Sequence, residues 1–202
     1  EDWLVGISAR QFEEMQQRVQ GSKPVSAPEK NAETPAHTIL LGVDPSLRGT
    51  GYGVVKLGGE VPATLDQGTI KCPAKWSRSE CLVAISRTLR EVIGRHAPTV
   101  CAVEGLFFAQ NVKTALIMGE ARGAAMAAVA ENGLEIFEIA PRKVKQSIVG
   151  YGNAQKLAVA KMVQRMLGLE ELPAPDAADA LALALTYAHL NKRFAIDPTQ
   201  KI

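Results

Sequence analysis

Ile39-Leu40-Leu41-Gly42-Val43-Asp44 sets four apolar residues around one glycine and ends on a carboxylate. A short apolar run of this kind reads as a buried central strand. An acid at its last position lies at the edge of the sheet. In open α/β sheets ligands gather outside the carboxyl ends of the strands. Three further acids, Glu104, Asp176 and Asp179, are placed to meet Asp44 there.

Downstream of Asp44, the turn Pro45–Gly49 leads into Gly-Thr-Gly-Tyr-Gly (49–53) and Val54–Leu57. Gly58-Gly59 then signals a hairpin, and 63–72 reads as a third strand. Two tight connections in succession imply an antiparallel meander. The alternating glycines are not a dinucleotide fingerprint, because that motif opens a helix and this one opens a strand. Leu82, Ile85, Leu89, Val92 and Ile93 fall at helical spacing within 79–96. The next strand, 99–103, is again apolar and closed by an acid, Glu104. A helix between the two acid-ended strands allows them to pair in parallel, which sets Asp44 and Glu104 side by side. Residues 111–131 form a helix rich in Ala, Gly and Met, suited to the core or to a dimer interface. A strand over 134–140, helices over 141–149 and 154–167, and a final Ala/Leu helix over 176–191 complete the pattern. The fold class is α/β, a mixed five-stranded sheet flanked by helices.

Upstream, Phe12, Met15 and Val19 suit a short amphipathic helix, and 21–37 has the Pro, Ser, Lys and Glu composition of a linker. The division expected is an extension over 1–37, a catalytic domain over 38–193 and a tail over 194–202. The role of the extension is left open. Residues 1–37 hold six acids and four bases, so a chain of net charge +2 is more basic beyond them. Between Pro141 and Gly168 lie six bases, Arg142, Lys143, Lys145, Lys156, Lys161 and Arg165, and no acid. That is either a solvated helix face or a surface turned toward a polyanion. Cys72, Cys81 and Cys101 show no metal spacing and read as small apolar residues of a reducing compartment. With no apolar run long enough to span a membrane and no signal peptide, the expected location is the cytoplasm.

Asp176-Ala-Ala-Asp179 puts two carboxylates on one face of the first turn of a helix. Each acid alone has an ordinary explanation, as a helix cap or a turn former. Together they do not, because four carboxylates in one pocket cannot all be ionised unless something positive is bound. Oxygen ligands of this kind suit Mg²⁺. Two such ions, about 3.5–4 Å apart, clamp the attacking and leaving oxygens of a phosphodiester. The acid-free basic stretch would supply phosphate contacts beside them.

From Thr38 to about Asn191 the chain resembles the RuvC-type Holliday junction resolvases, of the ribonuclease H-like fold. The motifs that carry the resemblance are Leu-Gly-Val-Asp-Pro (41–45), Thr-Gly-Tyr-Gly-Val (50–54), Val-Glu-Gly-Leu-Phe (103–107), Gly-Glu-Ala-Arg-Gly (119–123), Val-Lys-Gln-Ser-Ile-Val-Gly (144–150) and Asp-Ala-Ala-Asp-Ala-Leu-Ala (176–182). The resemblance implies a homodimeric endonuclease with two Mg²⁺ per active site, Mn²⁺ substituting, that nicks two opposed strands of a four-way DNA junction in recombination and repair. It implies the RuvA–RuvB branch-migration complex as partner. Asp44, Glu104, Asp176 and Asp179 match the family's metal-binding catalytic acids. Lys145, with a catalytic role, and Lys156 match basic residues facing the scissile region. Phe107 matches an aromatic that stacks on bases near the crossover, and Arg142, Lys143 and Lys161 join the DNA-binding set. Two positions depart from the family pattern. Ser46 replaces a glycine after Asp-Pro, and Gly105 replaces a residue that is often polar. The alternatives are a ribonuclease H-like enzyme acting on RNA or an RNA–DNA hybrid, and a junction-binding protein without catalysis. An actin-like phosphotransferase would need a second domain for which the chain is too short.

Overall fold

The computed structural model describes residues 37–105, 111–193 and 200–201. The strands are β1 (Ile39–Asp44), β2 (Gly49–Lys56), β3 (Ala63–Lys71), β4 (Val100–Glu104), β5 (Glu135–Ile139) and β6 (Gln200–Lys201). The helices are α1 (Arg78–His96), α2 (Val112–Glu131), α3 (Pro141–Val149), α4 (Lys156–Leu167) and α5 (Pro175–Arg193). Sheet order is β3-β2-β1-β4-β5-β6. The first three strands form the expected antiparallel meander, and β4 and β5 join β1 in parallel. The addition to the expected five strands is β6. This two-residue strand, within the segment read as a tail, pairs antiparallel with the open edge of β5.

Side chains alternate across a strand, and register-paired residues share a face. Leu41, Val43, Val54, Cys101, Val103 and Ile136 form one core with α1 and α2. Leu40, Val55, Val100, Ala102 and Ile139 form the other with α3, α4 and α5. Parity then fixes the direction of the two strand-end acids. Asp44 lies two residues from Gly42 and four from Leu40, and Glu104 lies two from Ala102. Both therefore project to the face that carries α5.

α5 is apolar around its whole circumference, with Ala177, Ala178, Ala180 to Leu185, Tyr187 and Ala188 all buried. It lies directly on the sheet because the strands under it lack side chains. A Cβ on Gly42 would sit 1.9 Å from the Ala180 carbonyl oxygen, and one on Gly51 would sit 1.9 Å from that of Asp176. A Cβ on Gly53 would meet Leu181 Cδ2 at 2.6 Å. Gly42 pairs with Gly53, and Asp44 with Gly51. The alternating glycines thus lie inside β2 and form a bare track that seats the final helix.

Candidate active site

The track brings the first turn of α5 over the ends of β1 and β2. Asp44 feels the charges of both Asp179 and Asp176, and its carboxylate accepts a hydrogen bond from the Glu104 carboxyl. Asp176 Oδ2 lies over the Gly49 backbone, 3.0 Å from where a Cβ would stand. The four acids singled out in the sequence therefore share one sheet edge. A cleft of about 240 Å³ beside them is lined by Glu104, Asp179, Lys145 and Lys156, with Pro141, Val144, Val159 and Leu183 forming its apolar wall. Lys145 and Lys156 come from α3 and α4, packed beside α5. Arg142, Lys143 and Lys161 do not line the cleft. Arg142 packs over Gly152, and Lys161 is an exposed residue of α4. Phe107 lies outside the described residues.

The loop after Asp44 is closed by Thr50. Its fully buried hydroxyl donates to the Ser46 carbonyl at 2.6 Å and accepts from the Ser46 N–H at 3.2 Å. Ser46 does not take the left-handed backbone conformation that favours glycine, so a serine fits this turn without strain. Sequence reasoning missed Thr50 as the residue that closes this turn. It also missed Arg122, which is buried on the other face of the sheet behind Glu104. The visible signal for Arg122 was an arginine at the head of a small, apolar stretch of helix that carries no further charge until Glu131.

Burial and the neighbouring carboxylates push Asp44 up to about 6. Burial and Asp44 push Glu104 up to about 7. Lys156 moves up as well, held mainly by its hydrogen bond to Asp179, with Nζ 2.7 Å from Oδ2. Among the described residues, no three His, Cys, Asp or Glu side chains stand close enough together to hold a metal ion as they are placed. The donor set nonetheless fits a hard divalent ion: four carboxylates, all oxygen, two of them raised by mutual repulsion and burial.

These shifts have a definite sign. A carboxyl whose pKa is raised on folding binds protons that the unfolded chain releases. Stability of the metal-free protein should therefore fall as pH rises from about 4 to about 7, the interval covered by the raised values. A divalent ion offsets this loss. Calorimetric scans should give a larger Mg²⁺-induced rise in Tm at pH 8 than at pH 5. Equal rises at both values would show that the ion does not meet these acids.

Comparison with known proteins places the chain in a family. Residues 40–187 match the sequence model of the family described as crossover junction endodeoxyribonuclease RuvC. The protein of that name from Alkaliphilus oremlandii is 45% identical over 152 residues, covering 75% of this chain and 93% of the relative. The one from Marinobacter nauticus is 46% identical over 154 residues, covering 76% and 87%. Among solved structures, Thermus thermophilus RuvC in complex with a Holliday junction substrate matches with TM-score 0.70 and 37% identity, over 75% of this chain and 93% of that one. The yeast mitochondrial Holliday junction resolvase Ydc2 covers 73% of this chain and 78% of its own at TM-score 0.51 and 11% identity, a likeness of fold alone. The expected ribonuclease H-like sheet is the one found, and with the match running from β1 to within α5 the chain belongs to the crossover junction endodeoxyribonuclease RuvC family.

Proposed function

We propose that this protein is a Mg²⁺-dependent endonuclease that resolves four-way DNA junctions by paired nicks in opposed strands. The observation that carries the reading is the convergence of Asp44, Glu104, Asp176 and Asp179 at one sheet edge, beside a cleft that also holds Lys145 and Lys156. The four acids would hold two Mg²⁺, with Mn²⁺ able to replace them. When bound, such ions supply an activated water and stabilise the departing 3′ oxygen. The chain's own groups do the rest. Asp44 and Glu104 are fixed by strand backbone, so their oxygens are set before DNA arrives. Asp179 is fixed by the helix and presently holds the Lys156 ammonium. The Lys156 side chain is 74% exposed, free enough to turn to a phosphate. Lys145 enters from the cleft wall and would neutralise the charge that builds on the scissile phosphate. Arg142, Lys143 and Lys161 serve as outer phosphate contacts, and Phe107 as a base-stacking residue at the crossover.

Two nicks require two sites, and α2 supports a homodimer. Val112 is 77% exposed and Leu116 62%. Gly119 and Gly123 continue the same helical stripe, and a Cβ on either would touch nothing. Each mid-helix glycine costs roughly 1 kcal/mol relative to alanine, and among the described residues no contact calls for it. A bare stripe lets a second copy of α2 approach closely. Leu116→Asp is expected to weaken dimerisation at least tenfold by sedimentation equilibrium and to convert paired nicking into single nicks. An unchanged dimer would move the interface elsewhere.

Further parts of the reading rest on family resemblance. They are the RuvA–RuvB branch-migration complex as partner, the nuclease domain at 38–193, and the extension and tail on either side. The three unpaired, buried cysteines support a cytoplasmic location. No described helix is long and apolar enough to cross a membrane. The test is a panel of a mobile four-way junction, a linear duplex and an RNA–DNA hybrid, each with and without Mg²⁺. Symmetric nicking of the junction alone, and only with Mg²⁺, is the expected result. Preference for the hybrid would make the enzyme a ribonuclease instead.

A further inference from the structure

Arg122 is 7% exposed, in the middle of α2, on the sheet face opposite the four acids. Its guanidinium is spread between two strand ends. Nη1 donates to the main-chain carbonyl of Glu104 and Nη2 donates to the carboxylate of Glu138. Glu138 lies on β5 and pairs in register with Val103, so its side chain projects to the α2 face while that of Glu104 projects to the α5 face. The neighbouring Gly105 N–H donates to the Ile139 carbonyl at 2.9 Å, continuing the ladder past the last β4 residue.

From this geometry we infer that Arg122, braced by Glu138, is a positioning residue that fixes the end of β4 from behind and so sets where the Glu104 carboxylate stands. The inference rests on the nuclease reading above, because it is the metal-binding role of Glu104 that makes its position matter. A strand end is normally its softest part, since the ladder stops there. A planar guanidinium with two ionic or polar acceptors in a fixed fork removes that freedom. Burial makes the contact directional, and a buried arginine without its carboxylate would be costly, so the two hold each other in place.

The same arrangement leaves little room for a side chain at Gly105. A Cβ there would stand 3.0 Å from Glu138 Oε1 and 3.2 Å from its Cγ. In this chain the space over residue 105 is occupied by Glu138 reaching across to Arg122.

The test uses the full-length protein with Arg122→Met, Arg122→Lys and Glu138→Ala. Single-turnover cleavage of a four-way junction is followed as a function of Mg²⁺, and Mn²⁺ binding to DNA-free protein is titrated calorimetrically. Loss of an outer-shell support typically costs 10–100-fold in metal affinity or activity. Arg122→Met is expected to raise the Mg²⁺ needed for half-maximal rate and to weaken Mn²⁺ binding by about that factor. Junction affinity measured without metal should stay at the wild-type value. Arg122→Lys keeps one charged donor and should recover part of the loss. Glu138→Ala removes only the brace, and it decides the matter if Arg122→Met does not fold: an increase of several-fold in the Mg²⁺ requirement is expected. Wild-type Mg²⁺ dependence and Mn²⁺ affinity in the folded variants would overturn the inference. So would a lysine variant no better than methionine. Failure of the wild-type protein itself to bind Mn²⁺ or to cleave with Mg²⁺ would instead overturn the nuclease reading.

Discussion

Asp44→Asn is expected to abolish junction cleavage, by roughly 10³-fold or more, while junction binding stays within a few-fold of wild type. The rate loss follows from the role proposed for this side chain. Removing one charged oxygen ligand from a site whose chemistry depends on bound cations forfeits several kcal/mol of transition-state stabilisation. Binding is spared because affinity for DNA comes chiefly from lysine and arginine contacts to phosphate, and asparagine touches none of them. A third quantity separates this outcome from simple damage. Asp44 is pushed up to about 6 by burial and by its acidic neighbours, so its charge destabilises the metal-free fold at neutral pH. The amide has nearly the same shape without the charge. The variant should therefore be at least as stable as wild type in EDTA and should gain less from Mg²⁺. Gel-shift affinity, single-turnover rate and Tm with and without Mg²⁺ measure the three effects. Residual cleavage within tenfold of wild type would remove Asp44 from the metal site.

Gly51→Ala should produce an effect of different origin and comparable size. The added methyl would lie 1.9 Å from the Asp176 carbonyl oxygen and 2.5 Å from its carbonyl carbon. These are backbone atoms, so no rotamer change relieves the clash. Either α5 lifts or β2 bends. Overpacking of this kind costs about 1–3 kcal/mol and occasionally more, which for a protein of this length is a fall in Tm of roughly 5–10 °C. The displacement also carries Asp176 and Asp179 away from Asp44, and a misplacement of about 1 Å can cost 10²-fold in rate. Loss of activity should therefore exceed loss of fold. At a temperature where the variant is fully folded by circular dichroism, cleavage should still be down about 10²-fold. Alanine at Gly94, a helical glycine whose Cβ would meet nothing, is the control: it should leave cleavage unchanged and, alanine being the better helix former, stabilise the fold by up to about 1 kcal/mol.

Much of this site could be read before any coordinates. The strand-end acids were legible because a buried strand closed by a carboxylate breaks the pattern of its own segment. A helix between two such strands also dictates parallel pairing. The Asp176/Asp179 pair was legible as a helical spacing. The reason the helix could come so close was not. The glycines at 49, 51 and 53 alternate visibly, yet their partner lies more than a hundred residues away, and one-dimensional pattern carries no record of which helix will cover a bare strand. Thr50 and Arg122 were hidden for a related reason. Their function is a contact with main-chain carbonyls, and any residue can offer a carbonyl. The basic stretch was the opposite case: its charge was plain, but only Lys145 and Lys156 line the cleft, since α3 and α4 each turn a single lysine toward it.

The seating of α5 on its glycine track has a consequence for when the enzyme becomes dangerous to DNA. Two of its acids come from the early strands and two from the last long helix. On the proposed reading, a nascent chain that has left the ribosome only as far as Leu167 would carry the cleft lysines and two of the four acids, and it is expected to cut nothing. Fragments ended by premature termination or proteolysis before Pro175 are expected to be inert for the same reason. They also lack the helix that fills one of the two cores, so they present themselves to proteases as unfinished. The docking that fills this core is thus the same event that would bring the four acids of the proposed site together.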